Sequence, residues 1–148
     1  MGANRWRKFT DTNKQHDGDW HHWMVYLDAD DMTATKCFVD GEALGVASTS
    51  NISDYEPYVE GLRFGGDGGN NFFGGQLDEF AIFTGDKTDK ALTYYNSNKS
   101  YWLGDEDDLV GYWRMETITG GDTVADESGE CNSATLINTP THTTDAPY

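Results

Sequence analysis

Residues 64–83 read FGGDGGNNFFGGQLDEFAIF, a glycine-rich loop that runs directly into an alternating strand. The glycines of this loop permit positive φ and therefore a tight turn. In the strand, Asp78 shares a face with Phe80 and Ile82, whereas Glu79 lies on the other face. A carboxylate on a buried face must be paired, hydrogen-bonded or bound to a metal. We therefore expect Asp78 to lie in a functional site, where it is paired, hydrogen-bonded or bound to a metal.

Short alternating segments separated by turns recur along the rest of the chain, at a spacing of roughly 8–12 residues that is typical of an all-β protein. Asp40-Gly41 is a strong hairpin signal between two of these segments. Both faces of residues 20–27 carry large side chains, so this strand is predicted to be covered on both sides, with Trp23 and Trp113 in the core. The fold class is predicted as an antiparallel two-sheet β-sandwich. The predicted strands are 20–27, 33–40, 44–50, 58–64, 76–83, 109–115 and 134–137, with one helix at 87–96.

The charge balance restricts the possible partners. The formal net charge is -16 and the pI about 4.2, which argues against binding to nucleic acid and favours cations, neutral glycans or a basic surface. No apolar run is long enough for a membrane span, and no signal peptide is visible. The spacing of Cys37 and Cys131 excludes a CxxC motif and leaves open one disulfide or two separate thiols.

Three segments resemble the laminin G-like, concanavalin A-like jelly rolls. WHHWMVYLDADDMTATKCFVDGEALG is similar to their "WhHva … lyvdG" hairpin, and FFGGQLDEFAIFTGDKTDKALTYYN to their "f.G.IDEv.iy" segment. LVGYWRMETITGGDTVADESGECNSATL is similar to their "lvgyWrf … DsSGngn.gtl" opening. The resemblance implies a jelly-roll domain over residues 17–137, between an N-terminal arm or partial edge strand (1–16) and an extended tail (138–148).

The order of these segments departs from the family pattern. The segment that usually opens the domain lies at 109–137, after those that usually close it. This order predicts a permuted or trimmed domain, or a piece of a longer protein with repeats. The YWRM strand and the tail THTTDAP (141–147) resemble laminin G-like modules in structural proteins of marine phages.

The resemblance also implies a calcium site. The family often binds Ca²⁺ near the "DsSGngn" turn, and such an ion takes six to eight oxygen ligands. Glu130 stands where the family usually has Asn, and Cys131 replaces a usual glycine. The alternative is a solvated acidic turn, with Asp78 accepting hydrogen bonds from backbone amides. The predicted ligands are Asp126, Ser128, Glu130 and Asn132, with Asp78 as a further one.

The glycine loop lacks the Gly-Lys-Ser/Thr of a P-loop and the stacked repeats of calcium nonapeptides, so a plain tight loop is favoured. It is predicted to border a ligand surface formed by Asn70, Asn71 and Phe72. Among the tryptophans, Trp102 is the predicted exposed ring on which a sugar could stack, because it lies between Tyr101 and a polar connector.

Catalysis and a zinc site are disfavoured by the same alternation. His21 and His22 point to opposite faces and cannot chelate one ion, so a structural hydrogen-bonding role is predicted instead. Retaining glycoside hydrolysis needs two carboxyls about 5 Å apart. Asp78 and Glu79 face opposite ways, and Gln76 stands where a first acid would be.

The sequence therefore predicts a non-catalytic binding module on an extracellular or virion surface, which recognises a glycan or cell-surface polymer and carries a structural calcium. The alternative is a structural subunit of a virion or filament that does not bind sugar. In that case a neighbouring subunit could complete the sandwich by adding a strand.

Overall fold

The structure, a computed structural model, describes residues 6–10, 12–14, 17–28, 30–50, 63–66, 72–96, 102–138 and 140–143. These residues form short strands, one α-helix (α1, Ala91–Asn96) and 3-10 turns at Met32–Ala34, Thr88–Lys90 and Leu103–Asp105. The strands are β1 (Trp6–Phe9), β2 (Trp23–Tyr26), β3 (Lys36–Val39), β4 (Glu42–Ala43), β5 (Val46–Ser50), β6 (Phe80–Phe83), β7 (Leu109–Trp113), β8 (Ile118–Thr119), β9 (Thr123–Val124) and β10 (Ala134–Thr135).

All the strand pairs are antiparallel, and they form four sheets in this part of the chain. Their orders are β1-β5, β2-β3-β4, β6-β7 and β10-β9-β8. The predicted fold class, an all-β antiparallel sandwich, is confirmed. The strand expected at 58–64 lies mostly outside the described residues. The partial edge strand expected in the N-terminal arm is β1, which pairs with β5.

The predicted hairpin at Asp40-Gly41 is confirmed. Both residues have positive φ, 52° and 79°, as a tight turn between β3 and β4 requires. Cys37 and Val39 of β3 are buried. Opposite Val39 in β2, however, Trp23 is 45% exposed, so its assignment to the core was wrong. Alternation correctly placed Trp23 on one face of β2, but in the described structure no second layer covers that face.

Three of the buried apolar side chains, Leu109, Tyr112 and Trp113, lie in β7 of the β6-β7 sheet. Phe80 is opposite Trp113, and Tyr112 and Trp113 are 1% and 6% exposed. The prediction that Trp113 belongs to the core is confirmed. β6 begins at Phe80, later than the predicted start at 76, because Glu79 has a φ of 50° that interrupts an extended strand.

The helix lies where the sequence predicts it, and the two cysteines are not bonded to each other. α1 follows the 3-10 turn at Thr88–Lys90, so the helical region predicted at 87–96 is found. Cys37 is buried and Cys131 is exposed, and both thiols are free. Of the two alternatives that the spacing left open, the structure has two separate thiols. Among the described residues, no helix is long and apolar enough to cross a membrane.

Candidate functional site

An aromatic cluster fixes the end of the β6-β7 sheet where β6 begins. The ring of Phe64 lies 3.7 Å from that of Phe80 and 5.6 Å from that of Trp113, measured between centroids. Phe80 and Trp113 are themselves 6.0 Å apart. Phe64 is the residue that enters the glycine loop, so this cluster attaches the loop to the sheet.

Glu79 joins the two strands through its carboxylate. Tyr112 donates its hydroxyl hydrogen to Glu79, and Arg114 Nε donates to Glu79 Oε1 at 3.0 Å. Burial and the Glu79 carboxylate both raise the pKa of Tyr112. The hydrogen bond to Glu79 raises the pKa of Arg114. Tyr112 is therefore a neutral donor and Arg114 a fixed cation.

Trp102 rests against this network. Its ring meets that of Tyr112 edge to face at 5.5 Å, and the Arg114 guanidinium lies 5.7 Å from the Trp102 centroid. A Cβ on Gly104 would lie 2.4 Å from the indole ring, so glycine is needed there. Trp102 is still 43% exposed, which agrees with the exposure predicted for it. An indole held on several sides and open to solvent is a rigid apolar surface.

The described residues on the two sides of the glycine loop contact each other through their backbones. Gly66 and Phe72 form a β-bridge, and the Phe73 amide donates to the Gly65 carbonyl at 2.8 Å. Gly65 has a φ of 72°, which glycine adopts without strain. Phe72 and Phe73 are 58% and 53% exposed. The other two residues expected at this surface, Asn70 and Asn71, lie outside the described residues.

Asp78 is half-buried at the same end of the sheet. Its Oδ1 accepts a hydrogen bond from the Glu79 amide at 3.0 Å. Burial raises the pKa of Asp78, and the nearby charges of Glu79 and Glu116 raise it further. Accepting from a backbone amide is the alternative that the sequence left open for Asp78.

The turn after β9 is organised by Asp126. Its Oδ1 accepts from the amides of Tyr112 and Ser128, each at 2.9 Å. Its Oδ2 accepts from Ser128 Oγ at 2.9 Å and from the Asn132 amide at 2.8 Å. Burial acts to raise the pKa of Asp126, but the backbone hydrogen bonds outweigh it and lower the pKa. The four donors occupy the four lone-pair positions of the carboxylate.

The other predicted ligands of this turn, Ser128, Glu130 and Asn132, also make hydrogen bonds, in the case of Glu130 through its backbone amide. Ser128 Oγ accepts from the Glu130 amide at 3.2 Å, while the Glu130 side chain is exposed. Asn132 Nδ2 donates to the Val110 carbonyl at 2.7 Å, and the Asn132 carbonyl accepts from Trp113 Nε1 at 2.9 Å. Asp126, Ser128 and Asn132 are thus brought together along β7.

This arrangement does not fit a calcium ion, which takes six to eight free oxygens. Both oxygens of Asp126 are already occupied by hydrogen-bond donors. In the described part of the chain, no group of three or more His, Cys, Asp or Glu side chains is placed to hold a metal. Calcium at Asp126, Ser128, Glu130, Asn132 and Asp78 stays a prediction.

Sequence reasoning missed the network of Glu79, Tyr112 and Arg114. A usable pattern was present, because Tyr112 and Arg114 share one face of their strand and Glu79 lies beside Asp78 in the strand expected to be central. That β6 and β7 would pair, however, could not be read from either segment alone. The pairing brings the acid of one strand to the tyrosine and arginine of the other.

The antiparallel sheets define an all-β module with exposed aromatic side chains. The family model described as the concanavalin A-like lectin/glucanases superfamily matches residues 1–93. This match covers more than half of the chain, which therefore belongs to that superfamily. β7 to β10 lie beyond the matched residues. No curated protein and no solved structure matches the chain.

Proposed function

We propose that the protein is a non-catalytic module that binds a neutral glycan or another uncharged cell-surface polymer on an extracellular or virion surface. The binding surface is the end of the β6-β7 sheet where β6 begins. The observation that carries the proposal is Trp102, which is 43% exposed and at the same time held by Tyr112 and Arg114. The superfamily, which contains lectins, supports the same function.

The aromatic and polar groups at this end of the sheet have complementary roles. Sugars present apolar ring faces that pack on aromatic rings, and hydroxyls that hydrogen-bond to polar side chains. Trp102 supplies a fixed ring on the face of the sheet that carries Tyr112. Glu116, which is exposed and contacts Arg114 at 3.3 Å, supplies a carboxylate that accepts from hydroxyls. A rigid surface loses little entropy when it binds.

The carboxyl groups at this site support binding without catalysis. Hydrolysis with retention needs one carboxylate as nucleophile and another carboxyl as acid, both facing the substrate. Glu79 is instead committed to Tyr112 and Arg114. The net charge of -16 further disfavours anionic polymers, which would be repelled at low ionic strength.

The test compares Trp102→Leu with Trp20→Leu, a matched variant of another exposed tryptophan that is 40% exposed. Binding to neutral polysaccharides such as xylan, mannan and β-glucan, with alginate as the anionic control, is measured by affinity electrophoresis and calorimetry. We expect Trp102→Leu to weaken binding about tenfold and Trp20→Leu to leave it unchanged. Circular dichroism verifies that both variants fold. A wild-type protein that binds none of the neutral polymers, or equal effects of the two variants, would overturn the proposal.

A structural subunit of a virion or filament is the second candidate, and β2 favours it. Trp23, Val25 and Leu27 are 45%, 56% and 63% exposed. Among the described residues, β2 has one strand neighbour, β3. Such a strand can pair with a strand of another subunit.

Light scattering after size-exclusion chromatography tests this candidate. A structural subunit should form a large assembly that Val25→Glu breaks, whereas Val46→Glu, at a position 44% exposed in β5, should not break it. A wild-type monomer at every concentration contradicts the structural candidate and leaves the binding module.

A further inference from the structure

His21 lies between two carboxylates, one on each ring nitrogen. Its Nδ1 is 2.9 Å from Asp40 Oδ2, and its Nε2 is 3.0 Å from each carboxylate oxygen of Asp17. A neutral imidazole has a single N–H and cannot donate to both acids. Both contacts are hydrogen bonds only when both nitrogens carry protons, so the geometry is that of an imidazolium.

Asp40 is the fixed member of this cluster. It is 8% exposed, and its Oδ1 accepts from the His22 amide at 3.1 Å. The Asp40 amide in turn donates to the His22 carbonyl at 2.8 Å. Lys14 donates a further hydrogen bond to Asp40 Oδ2. The turn also lies against α1, because a Cβ on Gly41 would be 2.7 Å from the Cα of Leu92.

Asp17 is the more exposed member of the cluster. Its side chain is 38% exposed, and its Oδ1 also accepts from the amide of Asp19, two residues away. These contacts are with His21 and with its own segment, whereas Asp40 is bonded to three other residues. The Asp17 contact is therefore the one that gives way when His21 loses a proton.

We propose that Asp17, His21 and Asp40 form a proton-dependent clamp, which fastens residues 17–21 to the β3-β4 turn and releases Asp17 when His21 loses a proton. With one proton left, the imidazole keeps the N–H that faces the more buried Asp40. The lone pair of Nε2 then faces the Asp17 carboxylate, and the two repel each other. The clamp is therefore controlled by the binding of one proton to His21.

The charges around the cluster support this direction. Partial burial acts to lower the pKa of His21, but the hydrogen bonds and charges of Asp40 and Asp17 outweigh it and raise the pKa. A raised histidine pKa stabilises the folded state fully below the unfolded value of about 6.5. That stabilisation is lost as the pH rises through the higher folded pKa.

The two acids set the lower limit of the pH range in which the clamp is stable. The pKa of Asp17 is lowered by the Asp19 amide and by His21. Burial acts to raise the pKa of Asp40, but Lys14 and His21 outweigh it and lower the pKa. The contribution of each acid is present above its unfolded pKa of about 3.9 and is lost as the pH falls through the folded value. The clamp is thus strongest between about pH 4 and 6.5.

Other titrating groups near the cluster have distinct effects. The hydrogen bond to Asp40 raises the pKa of Lys14, and the negative charge of Glu42 acts in the same direction, so Lys14 stays protonated throughout this range. Burial lowers the pKa of His22. His22 therefore contributes stability above about pH 6.5 that is lost as the pH falls, which is opposite in sign to His21. A single pH profile of the wild type mixes the two histidines, so variants are needed.

The test is a histidine-ring NMR titration of the full chain, for the wild type, Asp17→Asn and His22→Gln. We expect His21 to titrate above about 6.5 in the wild type and in His22→Gln, and lower in Asp17→Asn. Melting temperatures supply the second readout. The wild type should melt higher than Asp17→Asn at about pH 5.5, and the difference should vanish at about pH 8.5. Asp19→Asn, also at an exposed aspartate, should show no such pH-dependent difference.

Either of two results overturns the clamp. One is a His21 that titrates at or below about 6.5 in the wild type. The other is an Asp17→Asn variant whose His21 titration and melting profile match those of the wild type. Asp17 is exposed, so its substitution is compatible with folding, and the titration does not require a variant at His21 itself.

Discussion

Asp40 and Asp126 both hold a turn against a strand, but they use different kinds of partner. Asp40 accepts from two cationic side chains, Lys14 and His21, and from one backbone amide. Asp126 accepts from three backbone amides and one hydroxyl, all of them neutral. The pKa of each aspartate is lowered, although burial opposes the change in both.

The difference determines which conditions each turn tolerates. Backbone amides do not titrate, so the Asp126 turn needs only its own ionised carboxylate. The Asp40 turn depends in addition on a proton at His21, and its partners are long side chains that lose rotamer freedom when they are ordered. The Asp126 turn should therefore be the stronger of the two and the less sensitive to alkaline pH.

The largest expected effect comes from Asp126→Asn. Its amide NH₂ would face the donors Ser128 Oγ and the Asn132 amide, which would leave polar groups without an acceptor. We expect a loss of about 3 kcal/mol in the free energy of unfolding, measured with urea. The exposed Asp122→Asn is the matched control.

Asp126→Asn also tests the calcium site when the unfolding is repeated with calcium and with EDTA. Since the carboxylate acts through hydrogen bonds, we expect the same loss in both. A wild type that is stabilised by calcium, with the gain absent in Asp126→Asn, would contradict this account and support the ion site.

Asp40→Asn should have a smaller effect that depends on pH. An amide oxygen can still accept from the His22 amide, but the ionic partners Lys14 and His21 lose their anion. We expect a loss of about 2 kcal/mol at mildly acid pH and less at alkaline pH, where His21 is neutral in both proteins. Urea unfolding at the two pH values measures it, with the exposed Glu42→Gln as control. A loss equal to that of Asp126→Asn at every pH would remove the distinction between the two turns.

The smallest expected effect is a gain in stability from a substitution in the Asp126 turn. Cys131 has a φ of 63°, a left-handed conformation that costs a residue with a Cβ about 1 kcal/mol. Cys131→Gly should therefore raise the free energy of unfolding by about 0.5–1 kcal/mol. Cys131→Ala removes the thiol but keeps the Cβ, so it should give no gain. If alanine and glycine were equally stabilising, the thiol and not the backbone would be the cause.

Local chemistry was sufficient where the sequence prediction succeeded. Asp40-Gly41 identifies a hairpin because few other residue pairs accept positive φ at both positions. The exposure of Trp102 followed from its polar connector, and that of Phe72 from its glycine loop. Each of these features depends on residues that are neighbours in the chain.

The failures have a common cause, which is contact with a distant segment. β6 is shorter than its alternation predicts because Glu79 turns to meet Tyr112 and Arg114, more than thirty residues later. Trp23 was placed in the core because alternation identifies a face but not whether another layer covers it. In the DESGECN turn, Asp126, Ser128 and Asn132 lie together, whereas their role as calcium ligands stays a prediction. Their hydrogen-bond donors could not be foreseen, because they come partly from the neighbouring β7.

The segment 126–132 has a further consequence for β7. The Glu127 amide donates to the Tyr112 carbonyl at 2.8 Å, and Asn132 Nδ2 donates to the Val110 carbonyl. These backbone groups of β7 are the ones directed away from β6. Left bare, they would form a template on which other chains could aggregate. The same turn that holds the fold thus keeps the most buried strand of the described sheets from nucleating insoluble protein.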